Sequence, residues 1–262
     1  EPMIIYDKKA AQNIELSYQT PEIVRQRNQT LEALALRAGE QVLDVGCGTG
    51  LLVHDMSSTI GLQGRIVGVD FSNDMLELAK KRCSEMTNVQ LQQGSITQLD
   101  FADNSFDAAS CIQTLLYVDE IEVALSELRR VMKPGGRVAI IETDWRGVVL
   151  NSPDEVMTRK ILDAWDATVS SPNLPVKLIP LLKKLNFSAI KTTAIPILNT
   201  SYSEVNFSSG MLAYFSSYAV KNNVISNEEA ALWMKQIQDL SKTESFFFCV
   251  NRFLFTAVKV DV

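Results

Sequence analysis

The sequence predicts an α/β fold: a doubly wound, mostly parallel sheet of seven strands with a helical lid inserted before the last strand. In the first half of the chain, short apolar segments alternate with segments whose apolar residues recur at helical spacing, as in strands joined by crossover helices. In the second half this alternation stops, and helical patterns precede a long closing strand. No repeat or clear linker divides the chain, so we expect a single domain over residues 1–262.

The first half contains an N-terminal helical segment, residues 1–40, and then five strands with helices between them. The strands are expected at residues 41–46, 65–70, 88–94, 106–112 and 137–143, where the sequence reads QVLDVG, RIVGVD, NVQLQQG, FDAASCI and RVAIIET. Ser72 and Asp119 are the expected N-caps of the helices after the second and fourth strands. The second of these helices carries apolar residues at helical spacing up to Met132, and KPGG is expected to end it.

The second half is expected to hold four helices and two strands. Two helices flank SSPNLP, and the strand SAIKTTAIPIL follows them at residues 188–198. Two more helices are expected over 203–221 and 226–242, the latter opened by a capping box of Ser226 and Glu229. Residues 246–260 read as the closing strand. Arg252 is unusual in such a strand, and we expect a structural or pocket-edge ion pair there.

Composition excludes several functional classes. The net charge of -6 and pI of about 5.0 argue against a nucleic-acid surface. No apolar run is long enough for a membrane span, and no secretory signal is recognised, so we expect a cytoplasmic protein. The four cysteines form no CxxC pair and the only histidine is His54, so we expect no metal site. The oligomeric state is left open.

A glycine-rich segment, Gly46-Cys47-Gly48-Thr49-Gly50, lies between the first strand and the next helix. The dinucleotide fingerprint would need glycine at position 51, where Leu51 stands, and the lysine of a Walker loop is absent. Asp70 ends the second strand, at about the distance where an acidic residue holds a ribose diol in doubly wound folds. Together the loop and Asp70 predict a nucleoside site without a phosphate cradle.

Four motifs in order carry a family resemblance: LDVGCGTG, GVDFSNDML, FDAASCIQTLLYV and LRRVMKPGGRVAIIE. They resemble the motifs of class I S-adenosylmethionine-dependent methyltransferases, and the UbiE-like branch that methylates small molecules is the most similar. The resemblance covers roughly residues 15–145. It implies a Rossmann-like sheet with an antiparallel final strand, a cofactor-binding core at 41–145, and a region at 146–245 with lid helices and one further strand. The implied cofactor is S-adenosylmethionine.

The resemblance also implies which residues hold the cofactor. Asp44 and the loop residues Gly46, Cys47, Gly48 and Gly50 would hold its amino-acid end, with Cys47 acting through its backbone. Asp70 would accept from the ribose hydroxyls. The remaining implied contacts are Phe71 and Met75 against the adenine, Ser95 and Ile96 in place of the family's usual acidic residue, Gln113 near the methionine portion, and Arg27 on the cofactor carboxylate.

The methyl acceptor is expected to be a small, apolar or aromatic molecule with a nitrogen, oxygen or activated carbon nucleophile. Asp144 is the best candidate for a base or anchoring group, and Tyr18, Tyr117, Trp145 and Tyr214 are candidate contacts. A helix-capping turn at Asp144 and core packing of the aromatic residues are alternatives. A cofactor-binding module without catalysis, acting as a sensor or assembly partner, also fits the motifs. A nicotinamide oxidoreductase is disfavoured by Leu51.

Overall fold

A computed structural model describes residues 8–261. The first seven residues of the predicted N-terminal helical segment lie outside the described part. The nine α-helices within the described part are α1 Lys8–Ser17, α2 Pro21–Leu34, α3 Leu51–Ile60, α4 Asn73–Arg82, α5 Ile121–Val131, α6 Glu155–Asp166, α7 Pro175–Lys184, α8 Phe207–Lys221 and α9 Asn227–Asp239. The strands there are β1 Gln41–Val45, β2 Arg65–Asp70, β3 Val89–Gln93, β4 Phe106–Ile112, β5 Met132–Thr143, β6 Val149–Leu150, β7 Phe187–Asn199 and β8 Phe248–Lys259.

The strands form one sheet in which β3, β2, β1, β4 and β5 run parallel, in that order. The last strand, β8, pairs antiparallel with β5 and also with β7. These features confirm the predicted doubly wound sheet and its antiparallel final strand. The sheet has eight strands rather than seven, because the two-residue β6 pairs with the start of β8. So short a strand leaves no periodic signal in the sequence.

Two local predictions at the ends of α5 were wrong. Glu120, not Asp119, is the N-cap, and its side chain makes no capping hydrogen bond. β5 begins at Met132, so KPGG lies within the strand instead of ending the helix before it. A register shift between Phe106 and Ala108 on the paired strand accommodates this segment, and Gly135 adopts a φ of 75° there. By contrast, the caps at Ser72 and Ser226 are formed as predicted.

Helices cover both faces of the sheet, so the central strands are buried and nearly continuously apolar. In β1, Val42, Leu43 and Val45 are all fully buried. Helices α6, α8 and α9 pack on one another in the second half of the chain, and α8 also contacts α1 and β7. Within residues 8–261, no helix has the length and apolar character needed to cross a bilayer.

The strand order places a functional crevice at a defined position. The chain moves outward from β1 through β2 to β3 and then returns to the other side of β1 with β4. At such a reversal the loops after neighbouring strands diverge and leave a cleft at their carboxyl ends. In this protein the cleft lies beyond the ends of β1, β2 and β4.

Candidate functional site

A cavity of about 380 Å³ occupies this cleft. Its walls come from the end of α1, one face of α2, the glycine loop after β1, the ends of β2 and β3, and the segment after β4. Three of the four sequence motifs therefore meet around one space, although they lie up to about 70 residues apart along the chain. No group of three or more His, Cys, Asp or Glu residues in the described chain is placed to hold a metal ion.

The glycine loop turns sharply at the end of β1. Gly46, Gly48 and Gly50 have φ values of 74°, 53° and 79°, a region that favours glycine. A Cβ atom on Gly46 would lie 1.9 Å from Oγ1 of Thr114, so the chain packs directly against this glycine. A Cβ on Gly48 would meet nothing within 4 Å, and Gly48 lines the cavity. The loop thus presents backbone to the cavity where a side chain would fill it.

Asp70 lies at the cavity wall with its carboxylate held by two backbone amides. Gly48 N donates to Oδ2 at 2.7 Å, and Ser72 N donates to Oδ1 at 2.8 Å. Burial raises the pKa of Asp70, and these hydrogen bonds oppose that rise. Each oxygen keeps a further lone pair, so the fixed carboxylate is able to accept from two neighbouring hydroxyl groups.

Asp44 is a second buried carboxylate at this wall, and it is 2% exposed. Ser110 Oγ donates to its Oδ1 at 2.6 Å. Burial raises its pKa to about 7, and the nearby Asp70 charge adds to the rise while the Ser110 bond opposes it. A cation bound beside Asp44 would favour its ionised form.

The structure brings together eleven of the twelve residues predicted to bind the cofactor. Those lining the cavity are Arg27, Asp44, Gly46, Cys47, Gly48, Asp70, Phe71, Met75, Ser95, Ile96 and Gln113. Gly50 does not line it. This glycine is the N-cap of α3, and a Cβ there would lie 2.9 Å from the Cβ of Ala79 on α4. Gly50 therefore allows α3 and α4 to approach, which differs from the direct contact expected from the sequence.

Two of the lining side chains already have partners in the protein. Arg27 donates from Nε to Asp55 at 2.6 Å and from Nη1 to the Tyr18 carbonyl at 3.0 Å. Gln113 accepts from Thr143 Oγ1 at 2.7 Å and donates to the Ile141 carbonyl at 3.3 Å. The sequence expectation assigned both side chains to the cofactor. The structure instead gives Arg27 a carboxylate partner of its own and ties the Gln113 amide to β5.

Only two of the five residues predicted to contact the acceptor line the cavity. Tyr18 and Tyr117 line the cavity, whereas Asp144, Trp145 and Tyr214 do not. Asp144 is the N-cap of a short 3-10 helix and accepts from Arg146 N at 3.3 Å. Asp144 therefore caps a helix, which was the alternative to its role as a base or anchoring group for the acceptor.

Trp145 and Tyr214 belong to aromatic packing outside the cavity. Trp145 is 4% exposed and packs edge-on against Trp165 and Phe215, with ring centroids 5.5 and 5.7 Å apart. Tyr214 stacks on Tyr218. After β5 the chain forms a 3-10 helix over Trp145–Gly147, and there Trp145 packs into the helical layer and away from the cleft. None of residues 146–245 lines the cavity, which differs from the lid predicted from the sequence. The sequence predicted both Trp145 and Tyr214 beside the acceptor, whereas in the structure neither lines the cavity.

Besides Arg27, the cavity has three lining residues on α2 that were not predicted from the sequence. Ile23, Gln26 and Thr30 line it together with Arg27. Their separations of three and four residues place them on one face of the helix, which is a signal that could have been found. A helix face buried in the core would exclude polar residues. Their presence on this face is explained by the cavity.

Arg252 also differs from its expected role. Its guanidinium is buried, and Nη1 donates to Oε1 of Gln26 at 2.7 Å. Within residues 8–261 this neutral amide is its hydrogen-bond partner, and no carboxylate forms an ion pair with it. The predicted ion pair is therefore replaced by a contact with a residue of the cavity wall.

Comparison with known proteins identifies the family. A model of the family described as methyltransferase domain matches residues 36–177, which is more than half of the chain. The chain belongs to this methyltransferase family. The matched segment contains the glycine loop, Asp70 and all four sequence motifs.

Individual relatives agree with this assignment. Demethylmenaquinone methyltransferase from Staphylococcus aureus is 39% identical over 128 residues, covering 49% of this chain and 52% of that protein. The chain therefore spans about half the length of this curated relative. Phosphoethanolamine N-methyltransferase 2 from Haemonchus contortus, in complex with S-adenosyl-L-methionine, has a TM-score of 0.64 at 18% identity over 98% of this chain and 58% of that one. The [4+2]-cyclase SpnF has a TM-score of 0.58 at 22% identity over 91% of this chain and 81% of that one. These two structural likenesses show the fold.

We expect Gly48→Val to abolish binding of S-adenosylhomocysteine while the protein remains folded. The valine side chain would enter the cavity, where no protein atom lies within 4 Å of the new Cβ. Gly39→Val is the matched control, because Gly39 also has positive φ, at 84°, and open surroundings but lies outside the cavity. Calorimetry measures binding and circular dichroism measures folding. Normal affinity in Gly48→Val would mean that the loop is only a turn.

Proposed function

We propose that the chain transfers a methyl group from S-adenosylmethionine to a small, apolar or aromatic acceptor. The observation that carries the proposal is the Asp70 carboxylate, held at the cavity wall by the amide of Gly48, a residue that leaves the adjoining space open. This arrangement fits a nucleoside with a free ribose diol. The loop has Leu51 where the dinucleotide fingerprint requires its last glycine, and it lacks the lysine of a Walker loop.

The other proposed cofactor contacts are made by residues that line the cavity. The backbone of the glycine loop and the Asp44 carboxylate face the amino-acid end of the cofactor. Phe71, which is 60% exposed, and Met75 flank the adenine. Ser95 and Ile96 complete that end of the cavity, with serine offering a hydroxyl in place of the family's acidic residue.

The acceptor end is proposed at the wall formed by α1 and the turn after it, α2 and the segment after β4. Apolar and aromatic side chains lie there beside polar and acidic ones: Ile14, Tyr18, Ile23, Tyr117 and Val118 with Gln26, Thr30, Asp119 and Glu120. When bound, the cofactor supplies a sulfonium methyl group whose departure leaves a neutral thioether. The protein's own contribution is to align the acceptor with that methyl group and to exclude water from the space between them.

The direct test is formation of S-adenosylhomocysteine from S-adenosylmethionine across a metabolite library. Turnover in the wild type and its loss in Asp70→Ala would support the proposal. Tight cofactor binding without turnover of any acceptor would indicate a binding module, and the likeness to a cyclase shows that this fold does not by itself specify methyl transfer. Tight binding of NADH would support the alternative that the protein is a nicotinamide oxidoreductase. A cytoplasmic location stays a prediction.

Affinity for S-adenosylhomocysteine should rise with pH up to about 7 and then level off. The cause is Asp44, whose pKa is raised to about 7 by burial and whose ionised form attracts the ligand's ammonium group. Below that pH the carboxyl group is neutral, so affinity falls by up to about tenfold per pH unit. Calorimetry across pH 5–9 measures this, and Asp44→Asn should remove the step near pH 7. An unchanged profile in that variant would contradict the role of Asp44.

A further inference from the structure

Arg82, the last residue of α4, contacts two separate elements of the cavity wall. Its Nε donates to the Thr49 carbonyl of the glycine loop at 3.1 Å, and its Nη2 forms an ion pair with Oε1 of Glu15 on α1. The planar guanidinium presents its donors as a rigid fork. One side chain therefore fixes the position of the glycine loop relative to α1.

The packing of α4 on the glycine loop explains why Arg82 lies there. Ala79 lies against Gly50, where an added Cβ would be 2.9 Å from the Ala79 Cβ. Ala79 and Arg82 are three residues apart and share one face of α4, so Arg82 reaches the carbonyl that precedes Gly50. The side chains of Arg82 and Glu15 are 25% and 17% exposed, so solvent screens their attraction less than at an open surface.

The position of α1 depends on such polar contacts, because the helix has little apolar packing. Of its ten residues only Ala11 is buried, so the burial of side chains contributes little to holding it in place. The helix contacts α4 and α8, and the ion pair of Glu15 joins it to α4. Ile14 on α1 and Tyr18 in the turn after it line the cavity. A displacement of α1 would therefore open this wall.

We propose that Arg82 is a positioning residue that couples the glycine loop to α1. A ligand bound on the loop fixes the Thr49 carbonyl and with it the Arg82 guanidinium, and Glu15 then holds α1 at the cavity wall. The inference rests on the proposed function, because the ligand on the loop is taken to be the cofactor.

The coupling has a consequence for methyl transfer. Ile14 and Tyr18 belong to the wall proposed for the acceptor, so the cofactor stabilises the wall against which the acceptor binds. A wall held in place keeps water out of the space beside the methyl group and aligns the acceptor with it. Arg82 itself does not line the cavity and acts through Thr49 and Glu15.

Hydrogen exchange of the α1 backbone amides tests the coupling. In the wild type, saturating S-adenosylhomocysteine should slow this exchange by about fivefold or more, since opening of α1 must then also break a contact that the ligand stabilises. Arg82→Met removes both contacts, so the ligand should no longer slow the exchange. Lys81→Met, at the neighbouring exposed residue of α4, should leave the slowing intact. If Arg82 only supported the structure, exchange would be faster in Arg82→Met, but the ligand would still slow it.

Glu15→Ala keeps the test decisive if Arg82→Met does not fold. It removes the carboxylate on α1 and leaves the contact of Arg82 with Thr49 in place, so here too the ligand should no longer slow the exchange. Glu85→Ala, at an exposed glutamate after α4, is the matched control and should behave as the wild type. Full slowing by the ligand in Arg82→Met or Glu15→Ala would overturn the inference, as would its absence in the wild type.

Failure of the inference is distinguishable from failure of the proposed function. Calorimetry measures binding of S-adenosylhomocysteine separately in every variant. If the wild type binds the ligand and the exchange of α1 does not change, only the coupling is wrong. If the wild type does not bind it, the proposed cofactor is wrong. Faster exchange of α1 in ligand-free Glu15→Ala than in Glu85→Ala would still support the ion pair as the contact that holds α1, and equal exchange would contradict it.

Discussion

We expect Asp70→Ala to lower the affinity for S-adenosylhomocysteine by about two to four orders of magnitude. The carboxylate is held by the amides of Gly48 and Ser72 with lone pairs left toward the cavity. Charge-assisted hydrogen bonds are worth roughly 1.5–3 kcal/mol each, and two ribose hydroxyls would be lost together. The pre-organised carboxylate adds no ordering cost on binding, so the full loss should be visible in the dissociation constant.

Two variants separate the ribose contact from other effects of Asp70→Ala. Asp70→Asn keeps the shape but removes the charge, so its affinity should lie between those of the wild type and the alanine variant. Asp100→Ala removes an exposed aspartate after β3 that does not line the cavity, and its affinity should be unchanged. Calorimetry measures all three. Equal affinity in Asp70→Ala and the wild type would remove the ribose assignment.

We expect Trp145→Ala to lower the free energy of unfolding by about 3–5 kcal/mol and to leave cofactor affinity within a small factor of the wild-type value. The indole is buried between Trp165 and Phe215 in edge-on contacts. Its removal takes away both the apolar transfer energy and the aromatic contacts, and it leaves a cavity that the surrounding helices fill only in part.

Urea denaturation of the ligand-free protein measures this cost. Leu62→Ala, at a residue that is 82% exposed, should change the free energy of unfolding by less than about 0.5 kcal/mol. Trp145→Phe should recover part of the loss. A stable Trp145→Ala that binds the cofactor normally but loses turnover would instead support the acceptor contact expected from the sequence.

Trp145 illustrates where prediction from sequence ends. The cofactor half was predictable because strands, glycine loop and Asp70 follow local rules of periodicity and turn chemistry, and the parallel topology then brings their ends together. Trp145 follows β5 at the same edge of the sheet, so the same reasoning placed it in the cleft. Its actual direction depends on packing against Trp165 and Phe215, residues that contact it only in the folded chain.

Gly50 and Arg252 show the same limit in other ways. Gly50 belongs to the loop motif, yet what demands a glycine there is the approach of Ala79 from α4. Arg252 was recognisable as unusual in a strand, but its partner Gln26 lies 226 positions away. Such pairings are set by tertiary structure, and no local pattern encodes them.

A crystal structure of the protein with S-adenosylhomocysteine would show whether the cavity holds the cofactor. We expect the ligand in the cavity beyond β1, β2 and β4, with its ribose hydroxyls on the Asp70 carboxylate and its amino-acid end at Asp44 and the Gly46–Gly50 loop. We also expect the thioether sulfur to face the wall formed by Tyr18, Gln26 and Tyr117. A ligand bound elsewhere, or one whose ribose lies away from Asp70, would rule out the proposed cofactor site.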